Sequence, residues 1–336
     1  MTTVVIVEGE RPSLMPEGPV LETEVLGQGT TVLRYGVLET VPAEVLAGAD
    51  AVIVRPGTPF GRGPIERLDH CRVLISLGVG FDHIDLAAAG ERGLPVCNVP
   101  DYGVEEVADT ALAMMLFLHR RLGAFYRHAR FRGMEWDWRV LRPIRRARES
   151  TVGIIGLGRI GTSVALRARA FGYRIVFYDP YLRRGVEKSI GAVRISALPE
   201  LLAAADIVTI HTPLTPETSG MVDAGFLAEM KPDGIVINVS RGGMFKSLDV
   251  LYDALRERES FAVGTDVLPV EPPEPHPLLE AWRTNEEWLC GRFLLTPHAA
   301  FYSEDACREL RHNAAEIAKH VLNGHSPYNV VNGGPA

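Results

Sequence analysis

The chain has 336 residues, 46% hydrophobic and 23% charged, with a formal net charge of −7. This is ordinary globular composition, and the length suggests about two domains. The acidic balance argues against a surface made for nucleic acid or anionic lipid, and no apolar run reaches the roughly 18 residues that a spanning helix needs.

Short apolar runs rich in β-branched residues at 3–7, 51–55, 73–77 and 95–98 read as strands, with helical patterns at 42–46 and 84–92. Strands that are apolar throughout and alternate with helices imply parallel sheets covered on both faces. The longest helical pattern, 104–121, places Val107, Ala111, Met114, Met115 and Leu118 at helical spacing. Residues 123–150 read as irregular and arginine-rich. A second alternating series follows, with strands at 152–156, 174–178, 207–211, 235–239, 261–267 and 293–296 and helices at 160–171 and 248–256. A last helix, 305–322, comes after the final strand and is expected to return to the first unit. The fold class is therefore α/β, with two Rossmann-like or flavodoxin-like domains on parallel sheets, the first discontinuous.

The N-terminus MTTVVIVEGE lacks the basic region and long apolar core of a signal peptide. Cys71, Cys97, Cys290 and Cys307 are widely spaced and spell no zinc or redox motif. A cytoplasmic protein with reduced thiols and no metal is the expectation.

The sharpest motif is GLGRIG at 156–161, which follows the apolar run at 152–156 and opens a helical pattern. In that context G-x-G-x-x-G reads as a dinucleotide site. Gly156 permits the turn, Gly158 lets the backbone approach a pyrophosphate, and Gly161 allows close helix–strand packing. Arg159 and Ile160 open the helix, whose N-terminal N–H groups face the phosphates. Asp179 ends the next strand, 18 residues after Gly161. A carboxylate there suits a ribose 2′-hydroxyl and repels a 2′-phosphate, so the expected cofactor is NAD. Arg183 and Arg184 nearby weaken that preference. The plain alternative is a glycine-rich turn without a ligand, and the strand, helix and terminal acid together weigh against it.

Further motifs follow in a characteristic order: LGVGFDHID (77–85), NVPDYGVEEVADTAL (98–112), HTPLTPET (211–218), NVSRGG (238–243), TDVLPVEPP (265–273) and TPHAAFYSE (296–304). With the glycine motif, they make the chain resemble the D-isomer-specific 2-hydroxyacid dehydrogenases, in the branch similar to C-terminal-binding-protein corepressors. The resemblance implies that residues 1–101 with 302–336 form the substrate domain. It implies that 102–301 form the NAD-binding domain, with a dimer arm near 120–150. It implies Arg241 as the substrate arginine, Glu271 as the catalytic glutamate and His298 as the acid/base. Asp266, Thr212 and Pro213 fall to the cofactor site. Val79 and Gly80 fall to the substrate loop, with Phe301 as an aromatic wall where the corepressor-like proteins carry tryptophan.

The residue types suit the chemistry independently of the resemblance. Reduction of a keto acid puts negative charge on the carbonyl oxygen, and histidine is the side chain suited to protonate it near neutral pH. A neighbouring carboxylate favours the imidazolium and orients it. Arginine holds a carboxylate through two parallel hydrogen bonds at any pH. Each residue also has a bland alternative: His298 as a surface or capping residue, Glu271 as a solvated loop acid, Arg241 as an ion-pair residue.

Some features depart from the family pattern or go beyond it. Lys246 stands where the family usually has a different residue. Val79 occupies a place where phosphite dehydrogenases resemble one another in having lysine, which argues against phosphite. Arg55, at a strand end, could meet a second anionic group on the substrate or simply face solvent. Residues 282–292 look like an insertion with two tryptophans and a cysteine. Residues 120–148 hold ten arginines and two acids, Glu135 and Asp137, together with Trp136 and Trp138. The tryptophans suit a homodimer interface better than nucleic acid. The leading expectation is an NAD-dependent dehydrogenase of a small 2-keto or 2-hydroxy acid that neither binds nucleic acid nor enters a membrane. The alternatives are a dimeric NAD(H)-sensing protein and a reductase of phosphonate-type keto acids.

Overall fold

The computed structural model describes residues 2–9, 18–131, 136–141 and 144–333. The chain divides into two compact units, Met1–Gly103 with Tyr302–Ala336, and Val104–Phe301.

The first unit begins with β1 (Thr2–Val7), α1 (Val20–Leu26), β2 (Thr30–Tyr35), α2 (Ala43–Ala47) and β3 (Ala51–Val54). It continues with α3 (Arg62–Glu66), β4 (Val73–Ser76), α4 (Leu86–Glu91) and β5 (Val96–Cys97). The strands form a parallel sheet in the order β2-β1-β3-β4-β5, the flavodoxin-like order. β3 and β4 are buried at every position, which is why they read as unbroken apolar runs. β2 went unread in the sequence because it lies at the sheet edge and none of its residues is buried.

The second unit opens with α5 (Val104–His119) and α6 (Leu122–Phe131). Then come β6 (Thr151–Ile155), α7 (Arg159–Ala170), β7 (Arg174–Tyr178), α8 (Val186–Ile190), β8 (Val193–Arg194), α9 (Leu198–Ala204) and β9 (Ile207–Ile210). The unit ends with α10 (Ala224–Glu229), β10 (Ile235–Asn238), α11 (Leu248–Glu257), β11 (Ala262–Thr265), α12 (Pro277–Arg283) and β12 (Phe293–Leu295). Its seven parallel strands run β12-β11-β10-β9-β6-β7-β8. Counted from β6, that is the Rossmann order with one added strand, and the order reverses between β6 and β9. The five apolar positions expected on one face of α5 are all buried against this sheet.

Helix α6 corrects the reading of 123–150 as irregular throughout. Arg121 adopts a left-handed conformation (φ 53°) that ends α5, and a new helix starts at once. Gly123, in the first turn of α6, serves close packing: a Cβ there would lie 2.8 Å from the Phe117 ring and 3.2 Å from the Gly291 carbonyl oxygen. Several arginines of the 120–148 segment are engaged inside the unit. Arg121 donates to the Ser260 hydroxyl, and Arg145 pairs with Asp206 at 3.1 Å and Asp233 at 3.3 Å. Arg132, Glu135 and Arg142 lie outside the described residues. The 282–292 segment packs on its own unit. Trp282 meets Phe293 edge to face, Trp288 meets Tyr252 likewise, and Arg292 donates to the carbonyls of Leu255, Arg258, Phe261 and Trp288.

The chain then returns to the first unit through α13 (Glu304–Leu322), whose start is capped by the Ser303 hydroxyl. Leu310, Ala314, Ile317 and Ala318 join the core of the five-stranded sheet. A buried two-point ion pair, Arg311 to Glu22 of α1 at 2.7 and 3.0 Å, secures the return. No helix among the described residues is long and apolar enough to cross a membrane.

Candidate active site

In the second unit the expected site residues gather at the carboxyl ends of the strands, where open α/β sheets bind ligands. Gly156 follows β6 with φ 86°. Register places Ile155 beside Ile210, so His211 and Thr212 follow β9 directly against Gly156. A Cβ on Gly156 would lie 2.8 Å from Thr212 Cγ2 and 3.0 Å from the His211 carbonyl. A Cβ on Gly161 would lie 2.1 Å from the Gly156 oxygen, so only glycine lets α7 seat on the loop. At Gly158, the exposed residue preceding α7, the same construction meets nothing within 4 Å. Arg159 and Ile160 form the first turn of α7, and Pro213 lies exposed after β9.

Asp179 follows β7. Its Oδ1 accepts the N–H groups of Tyr181 and Leu182, each at 3.0 Å, and its Oδ2 accepts Leu157 N–H of the glycine loop at 2.9 Å. With about two lone-pair sites per carboxylate oxygen, Oδ1 is filled and Oδ2 keeps one for a ribose hydroxyl. The open cradle above Gly158, the helix start and this carboxylate fit a dinucleotide.

His298 follows β12 in a left-handed conformation (φ 53°). Its Nδ1 lies 2.7 Å from Glu271 Oε2, and Glu271 Oε1 accepts Leu268 N–H at 3.0 Å. Asp266 builds the loop that holds His298. Its backbone carbonyl accepts His298 N–H at 2.8 Å. Its carboxylate accepts the Thr296 hydroxyl at 2.6 Å, Ala299 N–H at 2.8 Å and Ala300 N–H at 2.9 Å. Burial raises the Asp266 carboxyl above its usual range, while these three donors and His298 act in the opposite direction. Thr296 and Leu268 lay inside quoted motifs, yet nothing in their spacing announced these contacts.

Phe301 stands edge to face with His298, ring centroids 6.4 Å apart. Arg241 follows β10 in a short turn held by Asn238 Nδ2, which donates to the Arg241 carbonyl at 2.9 Å. Its Nη1 donates to the Ser240 carbonyl at 2.8 Å. Lys246 is exposed in the segment after this turn.

Arg55, Val79 and Gly80 belong to the first unit, after β3 and β4. The carbonyls of Gly78, Val79 and Gly80 accept Val99 N–H, Asn98 Nδ2 and Ser76 Oγ respectively. Gly78 N–H already donates to the Ser76 carbonyl at 2.9 Å, so what that loop offers an anion is the N–H groups of Val79 and Gly80.

His211 bonds Thr209 Oγ1 through Nε2 at 2.8 Å, and its Nδ1 is buried without a partner. Burial pushes its pKa down to about 3. The folded value lies below the unfolded one of about 6.5, so the fold keeps the ring neutral. Its stability contribution is complete above about pH 6.5 and is lost as pH falls toward about 3. Through that window the residue is expected to steepen the acid loss of unfolding free energy by up to about 1.4 kcal/mol per pH unit. Urea titrations between pH 6.5 and 4 check this. His211→Gln should flatten the slope, and an unchanged slope would refute the assignment.

Residues 112–300 match the family described as D-isomer specific 2-hydroxyacid dehydrogenase, NAD binding domain. This chain belongs to that family. D-3-phosphoglycerate dehydrogenase of Methanocaldococcus jannaschii is 36% identical over 304 residues, covering 90% of this chain and 56% of that protein. C-terminal-binding protein 1 of Caenorhabditis elegans is 32% identical over 300 residues, covering 87% of this chain and 40% of that protein. The chain thus spans about half the length of the curated relatives it matches. The crystal structure of D-lactate dehydrogenase from Aquifex aeolicus, complexed with NAD and lactic acid, is 26% identical with a TM-score of 0.79. That match covers 95% of this chain and 96% of the other. The matched family region is an NAD-binding domain, so the cofactor is NAD.

Proposed function

We propose that this chain transfers a hydride between NAD(H) and a small 2-keto or 2-hydroxy acid, with Arg241, Glu271 and His298 as its catalytic residues. The observation that carries this reading is the 2.7 Å hydrogen bond between His298 Nδ1 and Glu271 Oε2. An ionised carboxylate only accepts, so Nδ1 bears the proton of that bond and Nε2 is the nitrogen left for the substrate. Bound NAD(H) supplies or accepts the hydride. In reduction His298 gives the Nε2 proton to the keto oxygen, and Glu271 stabilises the imidazolium before the transfer. In oxidation the neutral ring takes the hydroxyl proton. Arg241 holds the substrate carboxylate through two parallel N–H bonds, and Phe301 forms an apolar wall beside His298. Asp179 Oδ2 accepts a ribose hydroxyl, while Gly156, Gly158, Arg159, Ile160, Thr212 and Pro213 border the rest of the cofactor. Asp266 serves by fixing the loop under His298.

Trp136 and Trp138 are 89% and 69% exposed, with exposed Tyr126 and Leu122 on α6. Burial of such aromatics by a second copy suits a homodimer.

Following NADH absorbance with a panel of 2-keto acids, from glyoxylate and pyruvate to branched, aromatic and phosphono acids, tests the reaction class. Turnover with one clear preference is expected. Arg241→Lys should lower kcat/KM for that acid by about 10²-fold or more, because a point charge cannot replace the planar fork, and should leave NADH affinity intact. Wild-type kcat/KM in this variant would remove Arg241 from the site.

A further inference from the structure

The loop that carries Asp179 is held by a cation outside the dinucleotide motif. Arg194 lies on the edge strand β8, in register with Phe177 of β7. Its guanidinium lies over the Phe177 ring, 4.7 Å from the centroid. Nη1 donates to the backbone carbonyl of Asp179 at 3.0 Å. Nη2 donates to the carbonyl of Arg183 and to Glu187 Oε2, both at 3.1 Å. Glu187 Oε2 also accepts Gly185 N–H at 3.0 Å. Its own backbone N–H and then Arg194 hold the Glu187 carboxyl below its usual range. One planar fork therefore ties the start, middle and end of the 179–187 segment to the sheet edge. The fork is well covered, with an 18% exposed side chain and a buried Nε that makes no hydrogen bond.

The same segment contains Arg183 and Arg184, both exposed and four and five residues after Asp179. A segment free to move could bring either cation onto a 2′-phosphate and turn the Asp179 carboxylate away from it. The observed anchoring does the opposite. It holds the Arg183 backbone at the sheet edge and keeps Asp179 Oδ2 on Leu157 N–H of the glycine loop. We propose that Arg194 is a positioning residue that sets the preference of this site for NAD over NADP. The proposal rests on Asp179 being the ribose-binding acid.

The test uses the full chain and reads binding, not turnover. Dissociation constants for NADH and NADPH are measured by energy transfer from protein tryptophan to the reduced nicotinamide. The proteins compared are wild type, Arg194→Met, Arg194→Lys and Asp179→Asn. Arg194→Met should weaken NADH by about tenfold while NADPH binds equally or better, so the NADPH/NADH ratio falls by about tenfold or more. Arg194→Lys should recover little of it, because an ammonium cannot fork across two carbonyls. Both constants rising in step, or neither moving, would overturn the proposal, since a merely structural role leaves the ratio unchanged. If Arg194→Met fails to fold by circular dichroism, Glu187→Gln loosens the same fork and must lower the ratio, and an unchanged ratio there has the same force. Asp179→Asn separates the two levels. A collapsed ratio in that variant with an unchanged one in Arg194→Met sinks the Arg194 proposal alone. An unchanged ratio in Asp179→Asn sinks the ribose reading and the proposal with it.

Discussion

His298→Gln is expected to lower kcat for keto-acid reduction by roughly 10²–10⁴-fold, the usual contribution of a positioned proton donor. Glutamine fills similar space and can still bond to Glu271, but it has no proton to give near neutral pH. NADH affinity should not change, because the dinucleotide residues follow β6, β7 and β9 while His298 follows β12. Glu271→Gln should have a smaller and directional effect. The amide can still accept from Nδ1 but loses the charge that stabilises the imidazolium. Reduction, which needs the protonated ring, should slow more than oxidation, which needs the neutral one. Single-turnover rates in both directions at one pH measure this. A His298→Gln variant with near wild-type kcat, or a Glu271→Gln variant slowed equally both ways, would contradict the assigned roles.

Gly242→Ala is expected to be the most damaging single methyl group in the site. A Cβ at Gly242 would lie 1.8 Å from the Leu268 carbonyl oxygen, 2.0 Å from its carbon and 2.7 Å from Pro269 N. These are backbone atoms and cannot swing aside, so two loops must part. One carries Arg241. The other carries Leu268, whose N–H bonds Glu271. Overpacking typically costs about 1–3 kcal/mol, and this contact should reach or pass the top of that range in chemical denaturation. Misplacement by about 1 Å can cost about 10²-fold in rate, so kcat/KM should fall at least that far in whatever protein folds. Gly243→Ala is the control. Its Cβ would meet the Leu214 side chain at 2.9 Å, which can rotate away, so its effects should be much milder. Equal behaviour of the two variants would mean that backbone contact at Gly242 does not align the site.

The parts of the fold legible in the sequence are those whose cause is local. β3, β6, β9 and β10 are apolar at nearly every position because both sheet faces are covered, so the run of residues itself states the environment. The α5 stripe repeats at helical period because one face is buried. The glycine motif and Asp179 could be placed because a strand, a turn and a helix follow one another within a few residues. Failures fell where the cause is not local. β2 and β8 are edge strands with weak apolar patterns. Helix α6 fell inside a stretch read as irregular, and the smallness of Gly123 near its start serves contacts with Phe117 and Gly291.

The candidate site divides in the same way. The residue types of Arg241, Glu271 and His298 and their motifs were visible in the sequence. That Glu271 and His298, 27 positions apart, share a hydrogen bond depends on β11 and β12 being neighbours in register. The role of Asp266 as builder of the 296–300 loop, the need for glycine at 242, and the hold of Arg194 on the 179–187 segment likewise depend on strand order. Sequence alone determined most of the buried strands and the longer helices and which side chains could do the chemistry, because periodicity, turns and charge are properties of neighbouring residues. Tertiary structure alone decided which carbonyl a guanidinium reaches and which backbone leaves no room for a methyl group. Those facts arise where distant segments are packed together, and no local pattern encodes them.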